Sequence, residues 1–282
     1  MQLALLADVH GNLEALDAVL DDLASRAPGA RLVCAGDVVG YGPDPEPCLE
    51  RLRAHGALIV LGNHEEMVLG WRDFRRCVYA GITAAVWTRE RLAPTTRTLL
   101  AALPSWVEAA PGVIVCHGDL AGADTYVSTG ARAHRALDQL RSLRPEARLL
   151  ICGHTHEQVS FTRARGFVHA GPGDVIVLPQ QPESCLLNPG AVGQERAPAR
   201  ERDGHPLARY AVLDLERGMV RYVGVPYDHA ATLRKLRAAG LVAQVTMVRP
   251  RGAARRIENV KTRWARAWAA RRSDRSAIER PA

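Results

Sequence analysis

Five short blocks in the first 156 residues place polar side chains directly after apolar runs, with a glycine close by. The blocks read LALLADVHGN, RLVCAGDVVG, ALIVLGNHEE, VIVCHGDL and RLLICGHTHE. Their polar residues are Asp8, His10, Asp37, Asn63, His64, His117, His154 and His156. Carboxylate, amide and imidazole donors without thiolates suit divalent Mn, Fe, Zn, Co or Ni. The number of donors exceeds what one ion requires, so the sequence predicts a pair of ions that share a carboxylate.

The apolar runs predict the strands that must position these donors. We expect strands at Gln2 to Ala7, Leu32 to Ala35, Ala57 to Leu61, Val113 to Cys116 and Arg148 to Cys152. Helical patterns alternate with them at residues 13–25, 48–55 and, with breaks, 65–102. Strand ends at one edge of an α/β sheet meet in a shared crevice, so the donors are expected to converge. A lone Asp-x-His or His-x-His is more often structural, and the inference depends on five blocks in order.

The second half of the chain shows short β-like runs separated by Gly, Pro or charged turns, which predict an antiparallel meander. The runs are residues 159–162, 167–170, 175–178, 184–187, 209–213 and 220–225. The polar segment 194–206 is expected to be an exposed loop. Helices are predicted at residues 228–239 and 253–272, and the second is basic, with Trp264 and Trp268 spaced i, i+4.

The net charge of +7 is concentrated at the C-terminal end of the chain. Residues 249–282 contain eleven basic and three acidic residues, a net +8, which leaves about −1 for residues 1–248. We therefore expect one domain over residues 1–240 and a basic helical extension over 241–282. No stretch approaches the ~20 apolar residues of a membrane span, and Asp8 comes too early for a secretory leader. We expect a soluble, cytoplasmic protein.

The basic extension has two interpretations. Clustered arginines with two tryptophans on one helical face are compatible with a nucleic-acid or anionic-surface module. The favoured alternative is a terminal helix that packs its tryptophans on the body and leaves its arginines in solvent. Nucleic acid is thus a partner that we consider without favouring it.

The series DVHGN, GDVVG, GNHE, CHGD and GHTH resembles the signature of the calcineurin-like metallophosphoesterase superfamily. NPGAVGQ and VPYD further along resemble its compact bacterial branch of phosphodiesterases and phosphatases. The resemblance implies a four-layer αββα sandwich, an α/β fold with two mixed sheets packed between helices. It also implies one ion on Asp8, His10, Asp37 and His156, and a second on Asp37, Asn63, His117 and His154. Asp37 would bridge the two ions, and Mn is the favoured metal.

The implied reaction is hydrolysis of a phosphate ester, which could be a nucleotide. A water between two divalent ions has its pKa lowered from ~15.7 toward neutrality and becomes a nucleophile. His64 remains after the ligands are assigned, and we expect it to protonate the leaving oxygen, although it could instead cap the next helix. Phosphodiesters are favoured, because related phosphoprotein phosphatases carry an arginine where this chain reads GDVVGYG. The alternatives are a protein or nucleotide phosphatase and, from another class, a non-catalytic binding scaffold.

Four other residues are candidates for the site, and three of them have an alternative role. Asn12 could reach the phosphate or cap the helix that follows it. Tyr41 could line the entrance or pack on its neighbouring prolines. Arg196 could contact phosphate or lie in solvent, and Asp119 could orient a ligand histidine.

Overall fold

The computed structural model describes residues 1–180, 182–196, 205–246 and 252–273, and these form two six-stranded mixed sheets. Sheet A has the spatial order β3 (Leu58–Ile59), β2 (Arg31–Cys34), β1 (Gln2–Leu6), β11 (Leu207–Asp214), β12 (Met219–Pro226) and β9 (Val175–Val177). Sheet B has the order β4 (Trp106–Ala110), β5 (Val113–Cys116), β6 (Leu149–Ile151), β10 (Cys185–Pro189), β7 (Gln158–Thr162) and β8 (Gly166–His169). In sheet A, β1 pairs in parallel with β2 and antiparallel with β11.

The core lies in three layers, which explains why the central strands read as continuous apolar runs. Along β1, Leu3 and Leu5 point toward sheet B, while Ala4 and Leu6 point toward the helices on the other face. A strand that is covered on both faces needs an apolar residue at every position. The same pattern recurs in β5, where Val113 contributes to the layer between the sheets and Ile114 to the layer under a helix.

Eight helices occur in the described residues: α1 (Leu13–Arg26), α2 (Pro45–Ala54), α3 (Asn63–Leu69), α4 (Tyr79–Arg91), α5 (Pro94–Ala101), α6 (Gly130–Leu143), α7 (His229–Ala238) and α8 (Gly252–Ser273). Helices α1 to α5 and α8 pack into the layer on the outer face of sheet A. Helix α6 covers the outer face of sheet B. The predicted sandwich of two mixed sheets between helices is therefore confirmed.

The expected meander is wrong in one respect, because the later strands divide between the two sheets. β7, β8 and β10 join sheet B, whereas β9, β11 and β12 join sheet A. Neighbouring pairs among them are antiparallel, as predicted. Alternation of side chains defines each strand but carries no information about which sheet the strand enters.

The sequence analysis did not predict β4 or α6. Strand β4 reads WVEAA and is partly exposed, so its pattern is short and mixed. Helix α6 buries two alanines and two leucines (Ala133, Ala136, Leu137 and Leu140). Alanines on the buried face give a weak apolar periodicity, which explains why this helix was missed.

The segment predicted as an exposed loop is buried where it begins. Gln194 and Glu195 are 1% and 3% exposed, and the Glu195 carboxylate accepts hydrogen bonds from the Arg209 guanidinium at 2.9 and 2.8 Å. An internal ion pair of this kind allows a charged residue to be buried. Residues 197–204 of the predicted loop lie outside the described part of the chain.

Helix α8 contacts the body through small residues rather than through its tryptophans. Ala265 and Ala269 are buried in the layer shared with α4, whereas Trp264 is 76% exposed. The Thr262 hydroxyl also accepts a hydrogen bond from the backbone N–H of Tyr79 at 3.1 Å. The expectation that the tryptophans pack on the body is therefore wrong for Trp264, because alanines permit the closer helix approach. The domain division at residue 240 stays a prediction.

Among the described residues, no helix combines the length and the apolar content needed to cross a bilayer.

Candidate metal centre

The predicted donors come from the ends of strands in both sheets. Asp8 and His10 follow β1, Asp37 follows β2, and Asn63 follows β3, all in sheet A. His117 follows β5, and His154 and His156 follow β6, in sheet B. The donors therefore meet where two stacked sheets end side by side, whereas the sequence analysis expected the edge of a single sheet.

The donor atoms form one continuous buried cluster. Three triads each have ligand atoms within 4.8 Å of one another: Asp8–His10–His156, His10–Asp37–His64 and Asp37–His117–His154. His10 is common to the first two triads and Asp37 to the last two, so the three triads are continuous. His156 Nε2 lies 3.2 Å from Asp8 Oδ1, and His117 Nε2 lies 3.2 Å from Asp37 Oδ2. Asn63 joins through its Oδ1, 3.0 Å from His117 Nε2.

Backbone carbonyls fix the orientation of three imidazoles. The Nδ1 atoms of His10, His117 and His156 lie 3.3, 2.6 and 2.5 Å from the carbonyl oxygens of Val39, Ala35 and Gln194. Each Nδ1–H can donate to its carbonyl, which leaves Nε2 directed at the cluster. Metal-binding histidines are commonly held in this way, and their carbonyl partners determine which nitrogen binds the ion.

Two buried atoms of the proposed ligands lack hydrogen-bond partners in the described structure. They are Asp8 Oδ1 and His154 Nε2, on residues that are 0% and 2% exposed. Buried polar atoms normally have a partner, because an unsatisfied one costs about 1–3 kcal/mol. A divalent cation would satisfy both a carboxylate oxygen and an imidazole nitrogen, so these residues fit a metal site.

The electrostatics of the Asp37–His117 pair also favour positive charge. Burial by itself lowers the pKa of His117, but the adjacent Asp37 carboxylate outweighs burial and raises the pKa to about 10. Burial by itself raises the pKa of Asp37, and the charges of His117 and His64 reverse that effect and hold it well below its usual value. The Asp37 carboxylate thus favours a positive charge beside it.

The backbone at the donors adopts an uncommon conformation. In the part of the chain that the structure describes, six non-glycine residues have φ between 50° and 66°. They are Asp8, His10, Asp37, Tyr41, His154 and His156. Five of them are proposed ligands, and a left-handed conformation costs of order 1–3 kcal/mol per residue. Such strain is retained where side-chain placement matters more than stability.

Glycines beside the donors allow close approach. A Cβ on Gly62 would lie 2.2 Å from Asp37 Oδ1, and a Cβ on Gly40 would lie 2.1 Å from His64 Nδ1. Real Cβ atoms do not approach other atoms so closely, so any larger residue would displace the donor. The glycines in the sequence blocks are thus part of the site geometry.

The His64 ring contacts the rings of Tyr41 and His10, with centroid distances of 4.7 and 4.8 Å. Its backbone N–H donates to Asp37 Oδ1 at 2.9 Å, and its buried Nδ1 has no hydrogen-bond partner among the described residues. Helix α3 begins one residue earlier, with Gly62 in the cap position, so the His64 side chain is not its cap. Burial lowers the pKa of His64 to about 4.

Glu65 is the residue of the site that the sequence analysis missed. Its buried carboxylate accepts three backbone N–H bonds, from Asp37 at 3.0 Å, Val39 at 3.0 Å and Gly62 at 2.8 Å. Glu65 thereby holds the loop after β2 against the loop after β3. Burial, followed by the charge of Asp37, raises the pKa of Glu65 to about 7. Its place three residues after Gly62, the capping-box position, was the available signal.

We expect Glu65→Gln to lower both the stability of the protein and its affinity for metal. Glutamine has one carbonyl oxygen, so at least one of the three N–H donors loses its acceptor, which costs about 1–3 kcal/mol of unfolding free energy. Metal affinity should fall by about 10–100-fold, as for other residues that orient ligands. Urea unfolding and calorimetric metal titration measure the two effects.

Glu108→Gln provides the matched control, because Glu108 accepts a single backbone N–H, from Gly112 at 2.9 Å, at the surface. Glutamine can still accept that bond, so the control should unfold and bind metal like the parent. Equal stability and metal affinity of the Glu65 variant and the parent would contradict the role given to Glu65.

A cleft of about 1630 Å³ leads from the cluster to the surface. The Tyr126 ring is tilted by 40° against the His154 ring, with centroids 3.8 Å apart, and its hydroxyl accepts a hydrogen bond from Arg196 Nη2 at 2.6 Å. Arg196 is half-buried and lines this cleft with Tyr41.

The acidic residue near His154 is Asp124, whereas the sequence suggested Asp119 as the partner of a ligand histidine. Asp124 Oδ1 lies 3.8 Å from His154 Nε2, and Asp124 Oδ2 pairs with Arg76 at 3.0 Å. Asp119 accepts N–H bonds from Ala121 and Gly122 at 3.0 Å and so stabilises a turn. Asp124 lies seven residues beyond His117 in an irregular segment, where spacing carries no signal.

The side chain of Asn12 forms hydrogen bonds within the protein. Its Oδ1 caps α1 by accepting the Ala15 N–H at 3.2 Å and also accepts the Thr232 hydroxyl at 3.0 Å. Its Nδ2 donates to the Gly193 carbonyl at 2.9 Å. The capping alternative therefore describes Asn12 in this structure, and its polar atoms are committed away from the cleft.

The fold, the cluster of proposed ligands and the cleft are together typical of a metallophosphoesterase. The family model described as "Calcineurin-like phosphoesterase superfamily domain" matches residues 1–218. The chain therefore belongs to the calcineurin-like phosphoesterase superfamily.

The chain is also similar to individual proteins and solved structures. It is 29% identical over 245 residues to an uncharacterized protein of Methanocaldococcus jannaschii, covering 83% of this chain and 91% of the relative. A metallophosphoesterase structure from Sphaerobacter thermophilus has 29% identity and a TM-score of 0.71, covering 86% of this chain and 95% of that one. A hypothetical protein of Pyrococcus horikoshii OT3 shares the fold, with a TM-score of 0.66 at 16% identity and the same coverages.

Proposed function

We propose that this protein is a dinuclear metal-dependent hydrolase of phosphate esters, with phosphodiesters as the favoured substrates. The observation that carries the proposal is the convergence of the donor triads, with Asp37 common to two of them and two buried atoms of the proposed ligands left without hydrogen-bond partners. Membership of the phosphoesterase superfamily supports the same reaction class.

The proposed ligands divide into two sets around the shared carboxylate. One ion would be held by Asp8, His10, Asp37 and His156, and the other by Asp37, Asn63, His117 and His154. When bound, divalent ions would supply Lewis acidity and an activated water at neutral pH. Manganese is the ion that we propose, in a protein that works in the cytoplasm.

His64 would act on the leaving group. Hydrolysis breaks the bond between phosphorus and the leaving oxygen, which then requires a proton. His64 lies in the cleft beside Asp37, with its Nδ1 unengaged among the described residues. The negative charge of a bound phosphate would oppose the effect of burial and raise the pKa of His64. A positioned general acid contributes about 10²–10⁴ in rate.

Three residues of the cleft would contact the substrate: Asn63, Tyr41 and Arg196. Arg196 projects over the Tyr126 ring at 4.8 Å and is the cationic group that we assign to the phosphate. The neighbouring Arg76 is paired with Asp124, so its charge is already partly neutralised. We favour diesters because a singly charged phosphate requires fewer cationic side chains than a dianionic monoester.

The test compares two model substrates after loading the purified protein with manganese. We expect bound metal, hydrolysis of bis(p-nitrophenyl) phosphate, slower hydrolysis of p-nitrophenyl phosphate, and loss of both reactions with a chelator. A large ratio in favour of the monoester would reverse the preference toward a nucleotide or protein phosphatase. A metal-loaded protein without turnover on diesters, monoesters or dinucleoside polyphosphates would favour the binding-scaffold alternative.

A further inference from the structure

Helix α8 presents an apolar stripe to solvent. The stripe consists of Ile257, Val260, Trp264 and Trp268, which are 58%, 61%, 76% and 37% exposed. Spacings of three and four residues place the four side chains on one face of the helix. Contiguous exposed apolar surface of this kind marks an interaction site more often than scattered apolar residues do.

The rotation of α8 is fixed by contacts on its opposite side. Ala265 and Ala269 are buried against the body, and the Arg266 guanidinium donates to the backbone carbonyls of Phe74 at 3.1 Å and Cys77 at 3.2 Å. The Thr262 hydroxyl accepts the Tyr79 N–H. The stripe is therefore held away from the protein core in the described structure.

The helix is also strongly basic. Gly252–Ser273 contains seven basic residues and one acidic residue, a net charge of +6. Arg256 lies four residues before Val260 and Arg263 three residues after it, so both border the stripe, and both are exposed. An apolar face that includes tryptophan and is bordered by arginines is typical of helices that lie in a membrane interface.

We propose that α8 docks the protein on an anionic phospholipid surface. The apolar stripe would enter the boundary between headgroups and acyl chains, and the bordering arginines would contact lipid phosphates. This inference is independent of the hydrolytic function proposed above.

Charge and residue type favour this occupant over two others. A second copy docked through the same face would bring two helices of charge +6 together, which like-charge repulsion opposes. Nucleic acid accepts arginine and aromatic contacts, but it offers no apolar environment for the aliphatic side chains of Ile257 and Val260. An anionic bilayer accepts both the charge and the aliphatic residues.

The experiment measures co-sedimentation of the full-length protein with vesicles. We expect binding to phosphatidylcholine vesicles that contain phosphatidylglycerol, weak binding to pure phosphatidylcholine, and a decrease with added salt. Ile257→Ser with Trp264→Ser should reduce the partition coefficient about tenfold or more. Val177→Ser changes an apolar residue of sheet A that is 62% exposed and should leave binding unchanged.

The charge contribution is tested separately, with Arg256→Gln and Arg263→Gln expected to weaken binding about fivefold each. Vesicle binding that does not depend on the stripe would overturn the proposal. So would duplex DNA binding that needs the same arginines while vesicles do not bind, or a dimer in light scattering that the stripe variant converts to a monomer. Circular dichroism of the variants verifies that these exposed substitutions leave the fold intact.

Discussion

Asp37→Asn is expected to lose hydrolytic activity by about 10²–10³-fold, the effect of removing one preorganised electrostatic group at a reacting centre. Asp37 belongs to two of the three donor triads, and its Oδ1 also accepts the backbone N–H of His64. Asparagine keeps the shape but removes the negative charge that would lie between two cations. Metal affinity should fall by more than the roughly 10–100-fold that loss of a ligand-orienting residue costs.

Metal content by mass spectrometry and turnover of the diester measure these effects together. The matched control is Asp119→Asn, the same chemical change on a carboxylate that only accepts N–H bonds in a turn. Asparagine can preserve those bonds through its own Oδ1, so the control should retain metal and activity. An Asp37→Asn protein with full metal content and undiminished turnover would contradict the shared-carboxylate arrangement.

His64→Gln is expected to lower kcat by about 10²–10⁴-fold on a diester with a poor leaving group, such as an alkyl alcohol. The loss should be smaller with nitrophenol as the leaving group, because that oxygen departs without needing a proton. Metal content should remain that of the parent, since the assigned ligand sets do not include His64. His169→Gln, at a side chain that is 71% exposed, is the control for the same substitution.

The leaving-group comparison separates two roles for His64. His64 also belongs to a triad with His10 and Asp37, so it could bind an ion itself. In that case the variant would lose metal, and both substrates would slow by the same factor. Either result would contradict the assignment of His64 as the acid.

The convergence of the proposed ligands could be predicted from the sequence because each of them follows a strand, and the position of a strand end is encoded locally. Asp8 and His10 follow the four apolar residues of β1, and His154 and His156 follow the short run of β6. The continuous apolar runs thus located both the strands and their ends along the chain. What the sequence could not show is that β1 and β6 belong to different sheets, because strand pairing depends on contacts distant in sequence.

The residues that support the ligands were harder to predict. Glu65 acts through three N–H donors on two loops, and Tyr126 contacts His154 from an irregular segment. Their roles depend on tertiary packing, which composition and spacing do not encode. The burial of Glu195 depends likewise on Arg209, fourteen residues later. On α8, the amphipathic pattern did not reveal whether alanine or tryptophan would face the body.

Each proposed ligand set draws side chains from both layers of the sandwich. His156 from sheet B would share an ion with Asp8 from sheet A, and His117 from sheet B would share the other with Asn63 from sheet A. Bound cations would therefore act as cross-links between the two sheets at the end where the cleft opens. Demetallation would remove those cross-links, so this end of the molecule should be the first to separate.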